Sequence, residues 1–390
     1  MRTLVLGGDG YLGWPTALHL SQAGHDVAVA DNFARRQYDY ELGVESLVPI
    51  ETLQTRTRAW EEVSGRSIAT YVGDLTDPEF TIEMIRSFRP DTIVHFGEQR
   101  AAPYSMIDRS HAVYTQVNNV VGTLNVLFAI GEVDRDIHLV KLGTMGEYGT
   151  PEIDIEEGWL NVTHNGRTDR MLFPKRPGSF YHLSKVHDSH NIEFACRIWG
   201  LRATDLNQGI VYGCETPEMA QDPRLATRFD YDAVFGTVLN RFIMQAVIGH
   251  PITVYGSGGQ TRGLIDIRDT AACIRLASEH PAEPGDFRVF NQMTESKSVA
   301  ELAKTVAETY AKDAQIEFLD NPRVEADTHY YNVRHTRLVE LGLEPHLLAD
   351  TLIESLFGVV ERHRDRVDER AMRPTVDWRA TASPRSAHQD

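Results

Sequence analysis

The sequence predicts an α/β fold, in which a doubly wound parallel sheet is joined by a smaller, interleaved C-terminal domain. Short apolar runs such as Thr3–Leu6 alternate with helical patterns through the first half of the chain. The connecting turns are short, and polar residues follow the strands, where a parallel sheet collects its ligands. After Gly213 the alternation loosens, which indicates the second domain.

The loss of alternation also suggests a division of the chain. We expect residues 1–213 to form the first domain, to which residues of about 232–248 and 264–292 return. The second domain then takes 214–231, 249–263 and 293–370, and 371–390 form a tail. Residues 37–66 are an insertion whose shape the sequence leaves open. Residues 151–178 are polar and rich in turn formers, which predicts a loop over the site.

Composition limits the possible partners. The net charge of -17, without a sustained Lys/Arg run, disfavours nucleic acid and anionic membrane surfaces. Three widely spaced cysteines predict buried packing in a reducing compartment, with neither a metal site nor a disulfide framework. No apolar run reaches the roughly 20 residues of a membrane span. A strand that begins at Thr3 leaves no room for a signal peptide, so we expect a cytoplasmic protein, or a processed form in an organelle stroma.

A glycine-rich turn follows the first strand. The run Gly7-Gly8-Asp9-Gly10-Tyr11-Leu12-Gly13 stands between that strand and a helical pattern. Glycines at this spacing permit a tight turn and a close approach of the backbone to a pyrophosphate at the helix N-terminus. The sequence therefore predicts a dinucleotide site whose contacts include Gly7, Asp9, Gly10, Tyr11, Leu12 and Gly13.

Acidic residues after the next two strands indicate which dinucleotide is bound. Asp31 stands where a carboxylate accepts a hydrogen bond from the ribose 2′-hydroxyl, which favours NAD over NADP. Arg35 or Arg36 would instead suit a 2′-phosphate, and we weigh Asp31 more heavily. Asp74 is placed to accept from the adenine amino group, although a helix cap or turn role is the alternative. The predicted cofactor contacts also include Asn32, Leu75 and Asn118.

The spacing Tyr181-x-x-x-Lys185 puts a phenol and an ammonium one helical turn apart. A free phenol titrates near ~10, and a neighbouring ammonium favours the phenolate. The pair can therefore serve as a base, unless it is a chance pair on a surface helix. Thr144 ends a predicted strand and would meet the same site.

These features, in this order, resemble the extended short-chain dehydrogenase/reductase superfamily of nucleotide-sugar enzymes, whose sheet is the Rossmann fold. Longer stretches, which together span residue 1 to about 370, are similar to the UDP-sulfoquinovose synthase family. They include GGDGYLGW, HFGEQRAAPYSMIDRS, KLGTMGEYGTP, THNGRTD, FYHLSKVHDSHNI, RATDLNQGIVYG, GGQTRGLIDIRDT and NPRVEADTHYYN.

The resemblance implies a reaction of UDP-glucose with sulfite on a retained NAD. Tyr181 would take the C4 hydroxyl proton while Thr144 bonds the same oxygen, and Lys185 would hold the nicotinamide ribose and lower the phenol pKa. Oxidation at C4, loss of water across C5 and C6, addition of sulfite at C6 and re-reduction at C4 complete the cycle. The superfamily commonly forms homodimers through the helices near Asn118 and Tyr181.

One departure concerns the elimination step. Sugar 4,6-dehydratases carry an Asp-Glu pair after the catalytic threonine, whereas this chain has Met145-Gly146. His182 is our first candidate for the acid or base, and Glu147 is the second. The alternative for His182 is ordinary helix packing. Met145 would keep the sugar C5-C6 region apolar.

An anionic substrate in an acidic protein needs local cations. By resemblance, Arg262 and Arg323 face the UDP part and Glu325 binds the uridine ribose, whereas Arg100 is the candidate for sulfite. Surface ion pairs are the alternative for each arginine. The expected hydrogen-bonding neighbours of the substrate are Asn207, Gln208 and Gln260. Other readings within enzymes are a UDP-glucose 4-epimerase or a 4,6-dehydratase, and the missing Asp-Glu pair counts against the dehydratase. A non-catalytic dinucleotide sensor is the alternative from another class, and the intact Thr144, Tyr181 and Lys185 argue against it.

Overall fold

The computed structural model describes residues 1–310, 314–349 and 352–379. The first part of the chain contains β1 (Arg2–Leu6), α1 (Gly13–Gln22), β2 (Asp26–Asp31), α2 (Ala34–Leu42), α3 (Leu53–Ser64), β3 (Ile68–Val72), α4 (Pro78–Phe88), β4 (Thr92–His95), α5 (Ala102–Ser105), α6 (Arg109–Gln116), α7 (Gly122–Val133), β5 (His138–Thr144), β6 (Trp159–His164), β7 (Arg167–Leu172), α8 (Phe180–Trp199) and β8 (Arg202–Gln208). The remainder contains β9 (Ile210–Tyr212), α9 (Val238–Ile248), β10 (Ile252–Tyr255), β11 (Thr261–Asp266), α10 (Ile267–Glu279), β12 (Phe287–Gln292), β13 (Glu295–Ser298), α11 (Val299–Tyr310), β14 (Ile316–Leu319), α12 (Arg337–Glu340) and α13 (Leu352–Arg362).

Seven parallel strands form the main sheet, in the order β12-β8-β5-β4-β1-β2-β3. The predicted doubly wound α/β fold is confirmed. The strand order reverses between β1 and β4, and a sheet of this kind opens a ligand crevice at that point, beyond the carboxyl ends of its strands. The glycine turn after β1 therefore lies at the crevice.

Alternation along each strand builds a core on each face of the sheet. In β1, Val5 packs with α1, α3 and α10, whereas Leu4 and Leu6 pack with α4, α7 and α8. These residues are 0% exposed, so the strand is apolar on both sides, as a parallel sheet covered by helices requires.

A second core belongs to the C-terminal part. Helices α9, α11 and α13 pack together beside β10 and β14, around side chains such as Phe242, Leu302 and Phe357. The sequence-based division assigned residues 232–248 to the first domain, but α9 lies in this second core because its apolar face meets α11 and α13. Likewise β11 pairs with β9 and β13 in a separate three-stranded sheet, whereas β12 returns to the main sheet as expected.

Three segments have more structure than the sequence indicated. Residues 37–66 hold part of α2 and all of α3, and the expected loop 151–178 contains the antiparallel hairpin β6–β7. In the expected tail, residues 371–379 are described and several line the main cavity, while 380–390 lie outside the described residues. All three cysteines are buried and unpaired, as predicted. Among the described helices, none is long and apolar enough to cross a membrane.

Candidate active site

A cavity of about 910 Å³ runs from the carboxyl ends of β1 and β4 to the second core. The glycine turn lines one end, and a cluster of arginines lines the other. The predicted oxidation residues Thr144, Tyr181 and Lys185 lie along it. The topology therefore gathers into one cavity residues that are far apart in sequence.

The glycine turn forms a cradle that has no room for side chains. Gly7 has φ +84°, and a Cβ on Gly13 would lie 2.0 Å from the Gly7 carbonyl oxygen. Gly7, Gly10, Tyr11, Leu12 and Gly13 line the cavity. The exposed glycine backbone at the start of α1 fits a dinucleotide pyrophosphate.

Asp9 departs from the expected cofactor contacts. Its side chain is 3% exposed and does not line the cavity, because Arg36 and the fully buried Arg56 hold its carboxylate. Asp9 is therefore a structural residue that fixes the turn to α2 and α3. The same ion pair occupies Arg36, which leaves the cavity without that arginine for a 2′-phosphate.

Asp31 lies at the end of β2 and faces the cavity. One carboxylate oxygen accepts from the Asp9 amide at 2.8 Å and the other from the Phe33 amide at 2.7 Å. Burial raises the pKa of Asp31 to about 6, although both amides oppose the shift. Arg35 lines the cavity but pairs with Asp39 and Asp230. The arrangement fits the predicted preference for NAD.

The expected adenine contacts also lie at this end. Asp74 accepts from the Thr76 amide at 2.8 Å and from Asn32 Nδ2 at 2.9 Å, so it is a turn residue that also lines the cavity. Asn118 lies on a π-helical turn, Val117–Val121, between α6 and α7. Leu75 and Asn32 line the same wall.

Helix α8 presents Tyr181 and Lys185 to the cavity, and the Ser179 side chain caps its N-terminus. The Lys185 ammonium donates to the Leu142 carbonyl at 2.6 Å and lies 2.7 Å from the Glu98 carboxylate. Glu98 lines the cavity, and its side chain is 1% exposed. Sequence reasoning missed Glu98, although it stands directly after a predicted strand end.

The electrostatics of Tyr181 differ from the sequence-based expectation. Burial raises the pKa of its phenol, and the lowering by Lys185 is countered by Glu98. The chance-pair alternative is excluded, because both side chains are buried in the cavity wall. A cationic ligand beside the phenol would lower its pKa.

His182 lies next to Tyr181, with ring centroids 5.0 Å apart. Its Nδ1 is 2.9 Å from the Ser179 hydroxyl, and its ring covers Gly146. Burial, followed by the positive charge of Arg323, lowers the pKa of His182 to about 4. The imidazole is therefore neutral at physiological pH. Met145 lines the same region and is 6% exposed.

Glu147, the second candidate for the elimination, is not in the cavity wall. Thr144 and Glu147 form a capping box around the turn Met145–Glu147, which directs the carboxylate inward. There it meets the fully buried Lys141 at 3.2 Å and also Lys175. Against the effect of burial, these ammonium groups hold the pKa of Glu147 below its usual range. The structure thus makes Glu147 a structural anion.

Three arginines line the other end of the cavity. Arg262 pairs with Glu325 at 2.6 Å. Burial, followed by the positive charge of the neighbouring Arg262, lowers the pKa of Arg323 to about 10. Sequence reasoning missed the third, Arg241, which donates to the Thr253 carbonyl and stacks on Tyr255 with its guanidinium carbon 4.2 Å from the ring centroid. Its Nε is buried without a partner in the described part of the chain.

Four other expected substrate contacts have different outcomes. Gln260 lines the cavity, is 2% exposed and has both side-chain polar atoms unpartnered among the described residues. Gln208 lines the cavity and bonds Gln292. Asn207 does not line it, because β8 turns this side chain toward the Tyr148 hydroxyl in the protein interior. Arg100 lines the cavity near Tyr11, but Asp230 occupies its guanidinium.

Comparison with known proteins decides the family. Residues 3–291 match the model of the NAD dependent epimerase/dehydratase family. A UDP-sulfoquinovose synthase of Spinacia oleracea, described as chloroplastic, is 59% identical over 381 residues, with 97% of this chain and 79% of that protein covered. One from Sulfolobus acidocaldarius is 43% identical over 385 residues, with 97% and 98% covered. The chain belongs to the UDP-sulfoquinovose synthase group of this family.

Solved structures of two epimerases share the fold of this chain. A UDP-glucose 4-epimerase of Thermotoga maritima, solved with UDP-glucose, has TM-score 0.69 and 21% identity, and covers 94% of this chain and 100% of its own. An epimerase of Bifidobacterium longum, in complex with NAD+ and UDP, has TM-score 0.69 at 19% identity and the same coverage. At these identities the likeness shows the fold alone. The family assignment bears out NAD as the cofactor.

Proposed function

We propose that this protein is a UDP-sulfoquinovose synthase that converts UDP-glucose and sulfite into UDP-6-sulfo-6-deoxyglucose. The observation that carries the proposal is the neutral His182 imidazole, which lies over Gly146 beside the oxidation residues. A 4,6-dehydratase needs a carboxylate pair at the two positions that Met145 and Gly146 occupy in this chain. An epimerase needs no acid or base for elimination at all.

The cofactor end would hold NAD. The cradle of Gly7, Gly10 and Gly13 would take the pyrophosphate, and Asp31 would accept from the adenosine ribose. Lys185, which lines the cavity, would hold the nicotinamide ribose. When bound, NAD accepts the C4 hydride of the sugar and later returns it.

The protein's part in the oxidation is to move the proton of the C4 hydroxyl. Tyr181, as phenolate, takes this proton, and the Thr144 hydroxyl at the end of β5 bonds the same oxygen. Lys185 holds positive charge one turn away and favours the phenolate. At the end of the cycle Tyr181 returns a proton to the C4 oxygen, so the reaction has no net redox change.

The elimination uses a different group. A ketone at C4 acidifies the C5 hydrogen, and the neutral imidazole of His182 takes that proton. The imidazolium then gives the proton to the C6 hydroxyl, which leaves as water. The Ser179 hydroxyl holds the ring through Nδ1. Bisulfite, the protonated form of sulfite, then adds through its sulfur at C6 of the conjugated ketone, and its proton passes to C5. Met145 and its apolar neighbours limit water near the reactive alkene.

Binding of the diphosphate falls to the arginines. Arg241, Arg262 and Arg323 face the same end of the cavity, and a guanidinium fork matches phosphate oxygens. Gln260 offers a buried, unpartnered amide beside them, and Glu325 remains our candidate for the uridine ribose. Because Asp230 holds Arg100, that arginine is a weaker candidate for sulfite than the sequence suggested.

The deciding experiment incubates NAD-loaded protein with UDP-glucose and sulfite and follows the products by mass spectrometry. We expect a sulfonated UDP-hexose. UDP-galactose without sulfonate at any sulfite concentration would contradict the proposal and favour the epimerase. The Tyr181→Phe variant should retain NAD but not reduce it with UDP-glucose, whereas retained reduction would exclude Tyr181 as the base.

We also propose a homodimer and a location in the cytoplasm or an organelle stroma. Apolar side chains on the outer faces of α6, α7, α8 and the π-helical turn are 37–61% exposed, which suits the approach of a second copy. They are Val113, Val117, Val121, Phe128, Phe180, Phe194 and Ile198. Light scattering tests the dimer, and a monomer at micromolar concentration would contradict it.

A further inference from the structure

The C-terminal strap, which we define as residues 373–379, lies against the arginine end of the cavity. Pro374, Thr375, Val376 and Trp378 line the cavity, although they lie far beyond the residues that match the family model. Sequence reasoning assigned this segment to a tail. Its position next to Arg323 instead makes it part of the wall of the cavity.

The strap is fixed at its start by contacts to the second domain. Met372 is 6% exposed and belongs to the second core. The Ala371 carbonyl accepts from the Ala233 amide at 2.8 Å, and Ala233 itself lines the cavity. The chain therefore enters the strap from an anchored position beside the site.

Trp378 contacts Arg323, which takes part in no ion pair among the described residues, although the charge of Glu325 favours its protonated form. The Arg323 guanidinium carbon lies 5.3 Å from the centroid of the Trp378 ring. Glu325 pairs with Arg262, and in the described part of the chain no carboxylate lies within ion-pair distance of Arg323. Burial and the neighbouring Arg262 both disfavour its charge. An indole face attracts a guanidinium electrostatically, so Trp378 offsets part of this cost.

We propose that the C-terminal strap is a working part of the nucleotide-sugar site, in which Trp378 is a positioning residue that holds the Arg323 guanidinium toward the cavity for the substrate diphosphate. This inference rests on the proposed function. Trp378 acts through Arg323, so its loss weakens binding of the UDP part and leaves the oxidation chemistry at Tyr181 intact.

The test compares Trp378→Ala and Trp378→Phe with Trp199→Phe, a matched control at the far end of α8. Calorimetry with UDP on the NAD-loaded protein gives Kd. Absorbance at the reduced-cofactor band gives KM and kcat for reduction by UDP-glucose. We expect Trp378→Ala to raise Kd and KM about tenfold, with kcat and bound NAD unchanged. Trp378→Phe, which keeps an aromatic face, should recover most of the affinity, and Trp199→Phe should match the parent.

Two results would overturn the inference. One is parent-like UDP affinity in Trp378→Ala. The other begins with a combined loss of kcat, NAD content and melting temperature in Trp378→Ala, which would indicate general damage. In that case Trp378→Leu, which keeps apolar bulk, is measured. If Trp378→Leu has the parent melting temperature and still binds UDP as tightly as the parent, the inference is wrong. Failure of the proposed function is distinguishable, because a parent protein that binds no UDP fails before any variant is compared.

Discussion

Gly146 lies directly against the ring of His182: a Cβ built on Gly146 would be 2.3 Å from the imidazole Nε2. The side chain that a dehydratase carries at this position and the histidine of this chain therefore exclude each other. The glycine and the histidine form one arrangement, in which the imidazole occupies the space that a side chain at position 146 would take.

The first prediction concerns this pair. Gly146→Ala should displace His182 and lower sulfonate formation at least tenfold, while UDP-glucose still reduces the cofactor, since Tyr181 and Thr144 are untouched. Mass spectrometry and cofactor absorbance measure the two steps separately. Gly131→Ala is the matched control, because a Cβ there has no neighbour within 4 Å. Equal sulfonate yields from the two variants would contradict the arrangement.

The second prediction concerns the ion pair of Lys185 and Glu98. Glu98→Gln removes an anion that opposes the phenolate, so the pKa of Tyr181 should fall. The pH profile of cofactor reduction should then move to lower pH by about one unit. Stopped-flow absorbance between pH 6 and 10 measures the shift. Glu308→Gln, at an exposed carboxylate, should leave the profile in place, and an unmoved profile in Glu98→Gln would show that Glu98 does not act on the phenol.

The third prediction is a pH dependence of cofactor retention. The carboxylate form of Asp31 accepts from a ribose hydroxyl, and burial raises its pKa to about 6. The affinity for NAD should therefore be full above this pH and fall as the pH drops through it. Equilibrium dialysis at several pH values measures the change. Asp31→Asn should bind weakly at every pH; a parent-like pH dependence in that variant would assign the effect to another group.

The fourth prediction tests the arginine that the sequence did not reveal. Arg241→Gln removes a charged donor from the phosphate end, and a charged hydrogen bond of about 1.5–3 kcal/mol implies roughly a tenfold to hundredfold weaker UDP affinity. Calorimetry measures it, and NAD content should not change. Arg224→Gln, which breaks a surface ion pair with Asp222 and Glu62, is the control. Equal affinities in the two variants would remove Arg241 from the site.

The fifth prediction is about stability. Lys141 is fully buried between Glu147 at 3.2 Å and Asp205 at 3.3 Å. Lys141→Met leaves these carboxylates under-compensated, which should cost about 3–5 kcal/mol of unfolding free energy. Urea unfolding measures the change. Lys304→Met, at an exposed side chain, should change stability by less than about 0.5 kcal/mol. Equal stabilities would show that the cluster tolerates an unpaired carboxylate.

Local patterns along the chain determined much of this protein. The apolar strand runs, the glycine turn, Asp31 at a strand end and the Tyr181–Lys185 spacing each depend on a few adjacent residues, so they predicted the doubly wound fold and the cofactor end. Tertiary structure alone decided the partners of these groups. Glu98 pairs with Lys185, and Arg241 lines the same end of the cavity as Arg323. Trp378 lies over the Arg323 guanidinium. The members of each pair are tens of residues apart in sequence, so no local pattern predicts their proximity. The inward direction of Glu147 and Asn207 has a local cause, since a capping box directs the first side chain and strand alternation directs the second. Only the tertiary structure shows the buried partners that they meet there.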